Sequence, residues 1–355
     1  MTKTFIIAEA GVNHNGSLDL AFKLVDAAVN AQADAIKFQT FKTENLVTKS
    51  AEQADYQKKN IGKVSSQYDM LKKLELSYRE FIELKQYCDK KGIMFLSTPF
   101  DLESVDFLVH DLNLSLMKIA SGEITNAPYL YQIANLGVDV ILSTGMATVE
   151  EIHNALAFLA YGYQKKENIT FKNARQYYKT KEAKDVLKGK VSILHCTSEY
   201  PTPYEEINLN TIEYIKEKFD LPTGLSDHSQ GIIAPVAAVA KGACIIEKHF
   251  TLDKKMDGPD HKASLDPLEL KEMVESIRIT EKALGDWEKK PIEIELKNRE
   301  VARKSLVASC RIKRGETFSS NNLTVKRPGT GVAPYYYWDC IGKTATRNYE
   351  KDEMI

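Results

Sequence analysis

The sequence predicts an α/β protein, a (β/α)8 barrel followed by a small β-rich domain. Eight apolar runs bounded by turn residues recur along the first ~285 residues, each followed by a segment of helical periodicity. That alternation calls for a parallel sheet with helices packed outside it, and eight repeats over such a length fit a closed barrel better than an open doubly wound sheet. No GxGxxG follows the first run, which disfavours a dinucleotide-binding sheet. Beyond Leu284 the helical repeat gives way to short β-like runs punctuated by Gly and Pro, which predicts the second domain.

In chain order the strand candidates are residues 5–10, 35–40, 94–99, 116–122, 139–145, 191–197, 222–227 and 244–250. Two connections are long. Residues 41–77 are polar, contain SQYDMLKKLELS, and are expected over the barrel mouth, where long loops serve ligands. Residues 161–190 carry nine basic and three acidic side chains and read as a solvated helical excursion, with a basic flap as the alternative. An amphipathic helix over 266–284 closes the barrel domain, taken as 1–285. Residues 286–302 read as a linker, and 303–355 as the second domain, short enough to need another surface to pack on.

Composition narrows the function. Forty-eight basic residues balance forty-nine acidic ones, so no overall field draws in nucleic acid or an anionic membrane, and any bound anion must be held by a local cluster. No run has the ~18–20 apolar residues of a membrane span, and the N-terminus reads as a buried strand rather than a signal peptide. Five cysteines without CxxC spacing read as reduced thiols of a cytoplasmic protein.

Barrel chemistry sits at the C-terminal strand ends. There the sequence places Glu9 with Asn13 and His14; Lys37 and Gln39; Ser97 and Thr98; Lys118, Ser121 and Glu123; Ser143 and Thr144; Thr197, Ser198 and Tyr200; Ser226, Asp227 and His228; and Glu247 and His249. Strand side chains alternate, so Lys37 and Gln39 share a direction, as do Ser226 and His228, and Glu247 and His249. Two desolvated lysines, Lys37 and Lys118, need anions, which points to a bound phosphate or carboxylate beside the SG and STG turns. His228 and His249 end adjacent strands, with Glu9, Glu247 and Asp260 as candidate neighbours. They suit a divalent cation with open positions, which would act as a Lewis acid. His195 reads as a core residue, His110 and His153 as solvated, and His14 and His261 as lesser candidates at the mouth.

The motifs IAEAGVNHNG (7–16), KFQT (37–40), LSTPF (96–100), KIASGE (118–123), ILSTGM (141–146), HCTSEYPTP (195–203), GLSDHS (224–229), EKHFT (247–251) and GPDHKASL (258–265) together resemble the sialic acid synthase family. KRPGTG (326–331) is similar to the antifreeze-like (SAF) domain that follows the barrel there. The resemblance implies condensation of phosphoenolpyruvate with the open-chain aldehyde of an N-acylated hexosamine, giving a nine-carbon 2-keto acid and phosphate.

By the same resemblance, Lys37, Thr98, Lys118, Ser121, Ser143, Ser198 and Ser226 would hold phosphoenolpyruvate. His228 and His249 would bind Mn²⁺, with Mg²⁺ or Co²⁺ as substitutes. Gln39, Glu123, Tyr200 and Asp260 would face the sugar, and Arg327 would reach it from the partner in a domain-exchanged homodimer. The chemistry needs a base for water addition, for which Glu9 is placed, and proton management at the sugar, for which Glu123 is placed. Ser198 stands where some members have asparagine. Within the family the motifs look most like enzymes that make N,N'-diacetyllegionaminate from 2,4-diacetamido-2,4,6-trideoxymannose; the alternatives are N-acetylneuraminate from N-acetylmannosamine, and pseudaminic acid. Outside it stand a metal aldolase or another phosphoenolpyruvate-dependent synthase on the same barrel, and a non-catalytic glycan-binding protein.

Overall fold

The computed structural model describes residues 3–53 and 66–355. The chain divides into two compact units, Met1–Gly285 and Asp286–Ile355.

The first unit is a barrel of eight parallel strands: β1 (Phe5–Gly11), β2 (Ala35–Thr40), β3 (Met94–Pro99), β4 (Leu116–Ile119), β5 (Asp139–Ser143), β6 (Val191–Cys196), β7 (Thr223–Asp227) and β8 (Ile245–His249). The hydrogen-bonded order is β3-β2-β1-β8-β7-β6-β5-β4, and β3 and β4, the ends of that series, lie in contact. Every other ladder joins neighbours in sequence, while β1 pairs with β8, which is the connectivity of a closed βα repeat.

Side-chain alternation builds the interior in layers. Ile7, Ala35, Leu96, Ile141, Leu194 and Ile245 form an apolar floor inside the barrel. Two positions further along the same strands stand Glu9, Lys37, Thr98, Ser143, Cys196 and Glu247, which line the cavity above it. The opposite face of each strand meets the helices. Leu24, Val25 and Ala28 of the helix Leu18–Asn30, and Phe81, Leu84 and Cys88 of the helix Tyr78–Lys91, are fully buried there. Those helices start where the sequence supplies a cap. Ser77 and Thr148 make reciprocal capping boxes with Glu80 and Glu151, and Asp101 accepts from the Ser104 amide.

The basic 161–190 stretch forms helices Phe171–Tyr177 and Lys181–Leu187, which pack on Val149–Tyr163 and bury Ala174, Ala183 and Leu187. It is a helical excursion on the barrel wall. Of the long connection 41–77, residues 54–65 lie outside the described residues; the remainder includes a helix at Gln67–Leu74.

In the second unit β9 (Ser305–Ala308) pairs antiparallel with β10 (Leu323–Lys326), and bridges Ile312–Tyr349 and Thr317–Thr344 extend the pairing. Its core holds Leu306, Ile312, Phe318, Leu323, Ala345 and Tyr349. The stretch read as a linker contains a helix at Glu293–Ala302, every residue of which is exposed. With no buried face, it leaves no apolar periodicity for sequence reading to find.

Candidate active site at the barrel mouth

Register brings the site together. Glu9 is the Cα partner of both Lys37 on β2 and His249 on β8, and Ser226 is that of Glu247. One row across the barrel thus reads Lys37, Glu9, His249. The β1 ladder shifts between Glu9 and Gly11. Gly11 has φ +53°, and a Cβ there would lie 3.4 Å from both the Gln39 amide nitrogen and the His249 ring. Glycine is required by that backbone conformation, and it lets the ring sit against the strand end.

The charges are arranged as a closed circuit. Lys37 donates to Glu9 Oε1 at 2.6 Å and to Thr98 Oγ1 at 3.0 Å, and lies 3.7 Å from Glu247. Lys118 lies 3.4 Å from Glu247 Oε1, which also accepts from Ser226 at 2.8 Å. The four charged side chains are all buried. The anions expected beside the lysines are therefore supplied by the protein itself, as Glu9 and Glu247, so the lysines do not on their own demand a bound phosphate. Glu247, expected from the sequence as a neighbour of the histidine pair and inward-facing by its parity with His249, stands between the two lysines.

These environments set the protonation states. Burial opposes the Lys37 charge, yet Glu247 and Glu9 hold its pKa above the ordinary value. For Glu9, burial is outweighed by His249, Lys37 and Lys118, and the carboxyl is held well below the usual range. Burial, reinforced by His228 and Lys37, outweighs the pull of Glu9 and pushes His249 down to about 4. His249 is therefore neutral at pH 7, and the charges that hold Glu9 ionised there are those of Lys37 and Lys118. Burial, with Glu9 adding to it, pushes Asp260 up to about 7.

The cavity over the floor has a volume of about 590 Å³. Glu9, Lys37, Thr98, Lys118, Ser121, Ser143, Ser198, Tyr200, Ser226, His228 and His249, all read as candidates in the sequence, line it together with Glu247, Cys196, Gln67, Phe100, Met146 and Glu199. Gly145 shapes its wall. Its amide donates to Ser121 Oγ at 2.9 Å, and a Cβ there would stand 2.2 Å from Ser198 Oγ and 2.8 Å from Ser121 Oγ. Ser143 Oγ is buried and, among the described residues, lacks a hydrogen-bond partner.

Gln39, Glu123 and Asp260 line a neighbouring cavity of about 260 Å³ that shares Gln67 and Phe100 with the first. Arg327 lies exposed at the end of β10 in the second unit.

A family model described as the NeuB family matches residues 24–289, and a SAF domain model matches residues 303–355. The chain belongs to the NeuB family. It is 50% identical to the N,N'-diacetyllegionaminic acid synthase of Campylobacter jejuni, over 100% of this chain and 99% of that protein. The N,N'-diacetyllegionaminic acid synthase of Legionella pneumophila is 44% identical over 97% of this chain and 91% of its own length. Among solved structures, the N-acetylneuraminic acid (sialic acid) synthetase of Leptospira borgpetersenii in complex with citrate aligns with a TM-score of 0.66 and 34% identity, covering 84% of this chain and 90% of that one. These matches bear out the resemblance read from the motifs, and with it the barrel and SAF architecture.

The two histidines of this NeuB-family site fit a divalent cation. Their ring centroids are 5.6 Å apart, with the Tyr200 ring 4.1 Å from that of His228. His228 donates Nδ1–H to the Thr197 carbonyl at 2.7 Å, which orients the ring and leaves Nε2, once it has lost its proton, as the ligating atom. His249 Nδ1 is buried and, among the described residues, has no hydrogen-bond partner. In His228 burial is outweighed by Cys196 and the Thr197 carbonyl, and the ring is drawn up to about 9, so a cation competes there with a proton. No cluster of three or more His, Cys, Asp or Glu suited to a metal occurs among the described residues, so the protein itself offers a partial ligand set.

The remaining histidines have other work. His14 accepts from the Gly16 amide, and His261 bonds Thr251 and Asn15, so both hold loops at the mouth. His153, read as solvated, is half-buried and packs on Tyr178 and Phe219. Asp227 faces away from the cavity and pairs with buried Lys248. No described helix is long and apolar enough to cross a membrane.

Proposed function

We propose that this chain condenses phosphoenolpyruvate with 2,4-diacetamido-2,4,6-trideoxymannose to give N,N'-diacetyllegionaminate and phosphate, in the cytoplasm. N-acetylmannosamine is the alternative acceptor. The observation that carries this reading is full-length identity of 50% to a legionaminic acid synthase, combined with a polar cavity in which two lysines and four serines converge beside a histidine pair.

In this reading the phosphate and carboxylate of phosphoenolpyruvate lie against Lys37, Lys118, Thr98, Ser121, Ser143, Ser198 and Ser226. The carboxylates Glu9 and Glu247 offset the two lysine charges and hold the lysine heads in place, which lowers the reorganisation needed when substrate arrives. His228 and His249 would hold the cation, Mn²⁺ with Mg²⁺ or Co²⁺ as substitutes, and that ion would supply Lewis acidity toward the aldehyde oxygen. Gln39, Glu123, Tyr200 and Asp260 position the sugar so that C3 of phosphoenolpyruvate reaches its aldehyde carbon.

Water then adds at C2 and phosphate departs by C–O cleavage. Glu9, ionised and beside the row of Lys37 and His249, orients and deprotonates that water. Its proton affinity is low while Lys37 contacts it and rises once Lys37 turns to the phosphate. Asp260, poised near neutrality, exchanges a proton with a sugar hydroxyl.

The same reading includes a domain-exchanged homodimer. It is supported by the fully exposed helix Glu293–Ala302, which carries Ile294 at 77% and Val301 at 69% exposure, and by exposed Tyr335, Tyr336 and Trp338 in the SAF unit. Arg327 would then reach the partner's sugar. The test is phosphate release by the purified protein with Mn²⁺. The account expects release only when both substrates are present, in step with a product of their combined mass less phosphate; release from phosphoenolpyruvate alone contradicts it.

A further inference from the structure

The smaller cavity is divided by chemistry. Gln39, Glu123 and Asp260 form one side of it; the other is apolar, made of Val12, Phe41, Leu46, Met70, Leu71 and Leu74. Val12, Phe41, Met70 and Leu74 are a buried cluster separate from the barrel core, with Leu46 and Leu71 packed against it and half-exposed. The local structure is built to hold this wall. Glu75, just past the helix Gln67–Leu74, accepts from the Thr43 amide at 3.0 Å and its hydroxyl at 2.8 Å, tying that helix to the turn carrying Leu46. Lys72 bonds Glu44 at 3.1 Å across the same junction. Gly16 admits the helix end: its φ is +72°, and a Cβ there would stand 2.3 Å from the Lys73 carbonyl.

The position of this lobe matters. The aldehyde end of the sugar must reach the His228 and His249 pair, and the far end must extend away from phosphoenolpyruvate. The smaller cavity shares Gln67 and Phe100 with the larger one, and Gln39 is two residues beyond Lys37 on β2. We infer that Leu46, Met70, Leu71 and Leu74, with Val12 and Phe41, determine acceptor specificity by receiving a methyl-terminated arm of the sugar, while Gln39, Glu123 and Asp260 take its polar edge. The inference rests on the proposed condensation and names what the same site selects. Two arms carry the required chemistry, the C6 methyl of a 6-deoxy sugar and the methyl of a C4 acetamido group. A hydroxyl placed against this wall loses its hydrogen bonds to water and gains none.

Four acceptors separate the arms: 2,4-diacetamido-2,4,6-trideoxymannose, its 6-hydroxy analogue, 2-acetamido-2,6-dideoxymannose and N-acetylmannosamine. Wild-type kcat/KM should fall about 10- to 100-fold when the arm that occupies the lobe is lost. Leu46→Asn and Leu71→Gln, both at half-exposed positions, should lower that ratio at least about tenfold, with the KM for phosphoenolpyruvate and the unfolding midpoint unchanged. Leu71→Met, which conserves volume, should keep the wild-type ratio. The arm whose removal produces the wild-type fall, and whose fall the polar variants erase, is the one the lobe holds. If wild type favours the diacetamido sugar and both polar variants slow all four acceptors equally, the lobe does not select and only this inference falls. If wild type favours N-acetylmannosamine, the proposed acceptor and the lobe's role fall together.

Discussion

Asp260 offers a test in which stability and function move in opposite directions. The folded protein holds its carboxyl at about 7 against an ordinary value of 3.8, because burial and the neighbouring Glu9 disfavour its charge. Between those two values the folded chain binds a proton that the unfolded chain has released, so stability falls as pH rises across that window. At about 1.36 kcal/mol per unit, the full cost above pH 7 is on the order of 4 kcal/mol. Asp260→Asn replaces the carboxyl with a neutral group of the same shape and removes the cost. The metal-free variant should match wild type near pH 4 and exceed it at pH 8 by up to about 8 °C in unfolding midpoint, at roughly 2 °C per kcal/mol for a domain of this size. Turnover should fall at least about 100-fold with loss of the proton exchange at the sugar. Calorimetry from pH 4 to 8 in the presence of a chelator provides the measurement. A variant no more stable than wild type at pH 8, or a difference that does not change with pH, would refute this account of Asp260.

Three further outcomes are expected. Glu9→Gln should leave Lys37 buried with one partner fewer, costing about 3–5 kcal/mol in denaturant unfolding, and should lower kcat at least about 100-fold. Gly145→Ala should drive a methyl into Ser198 and Ser121 and raise the KM for phosphoenolpyruvate at least about tenfold, while calorimetric titration shows unchanged Mn²⁺ binding. Asp34 is pushed up by burial but held below its ordinary value overall by Lys3, the Ile6 amide and Arg278. The stability it contributes is complete above the unfolded value and is lost as pH falls through the lower folded one, so Asp34→Asn should flatten the acid limb of the unfolding curve below about pH 4.

The barrel was legible because its strands are short and buried on both faces, and because the segments between them carry helical periodicity. The site was legible where parity was enough: Lys37 with Gln39, and Glu247 with His249, face the same way on any straight strand. What parity does not give is the register between neighbouring strands. That register makes Glu9 the partner of Lys37 and His249, and it places Glu247 between two lysines. Glu9 and Glu247 therefore offset the charges of Lys37 and Lys118 within the barrel. The apolar lobe was hidden for a related reason. Leu46, Met70 and Leu74 belong to a polar connection whose helix packs on the Thr43–Leu46 turn through the Glu75–Thr43 contact, and only in three dimensions do they form a wall. The helix Glu293–Ala302 was missed because none of the described residues covers it.

The central claim is that this mouth joins phosphoenolpyruvate to a 6-deoxy diacetamido sugar. The most direct measurement is competition: equal 2,4-diacetamido-2,4,6-trideoxymannose and N-acetylmannosamine, limiting phosphoenolpyruvate and Mn²⁺, with products separated by mass. The account predicts that N,N'-diacetyllegionaminate forms in excess by at least about tenfold, the discrimination an apolar lobe of this kind supports. An excess of N-acetylneuraminate would contradict it.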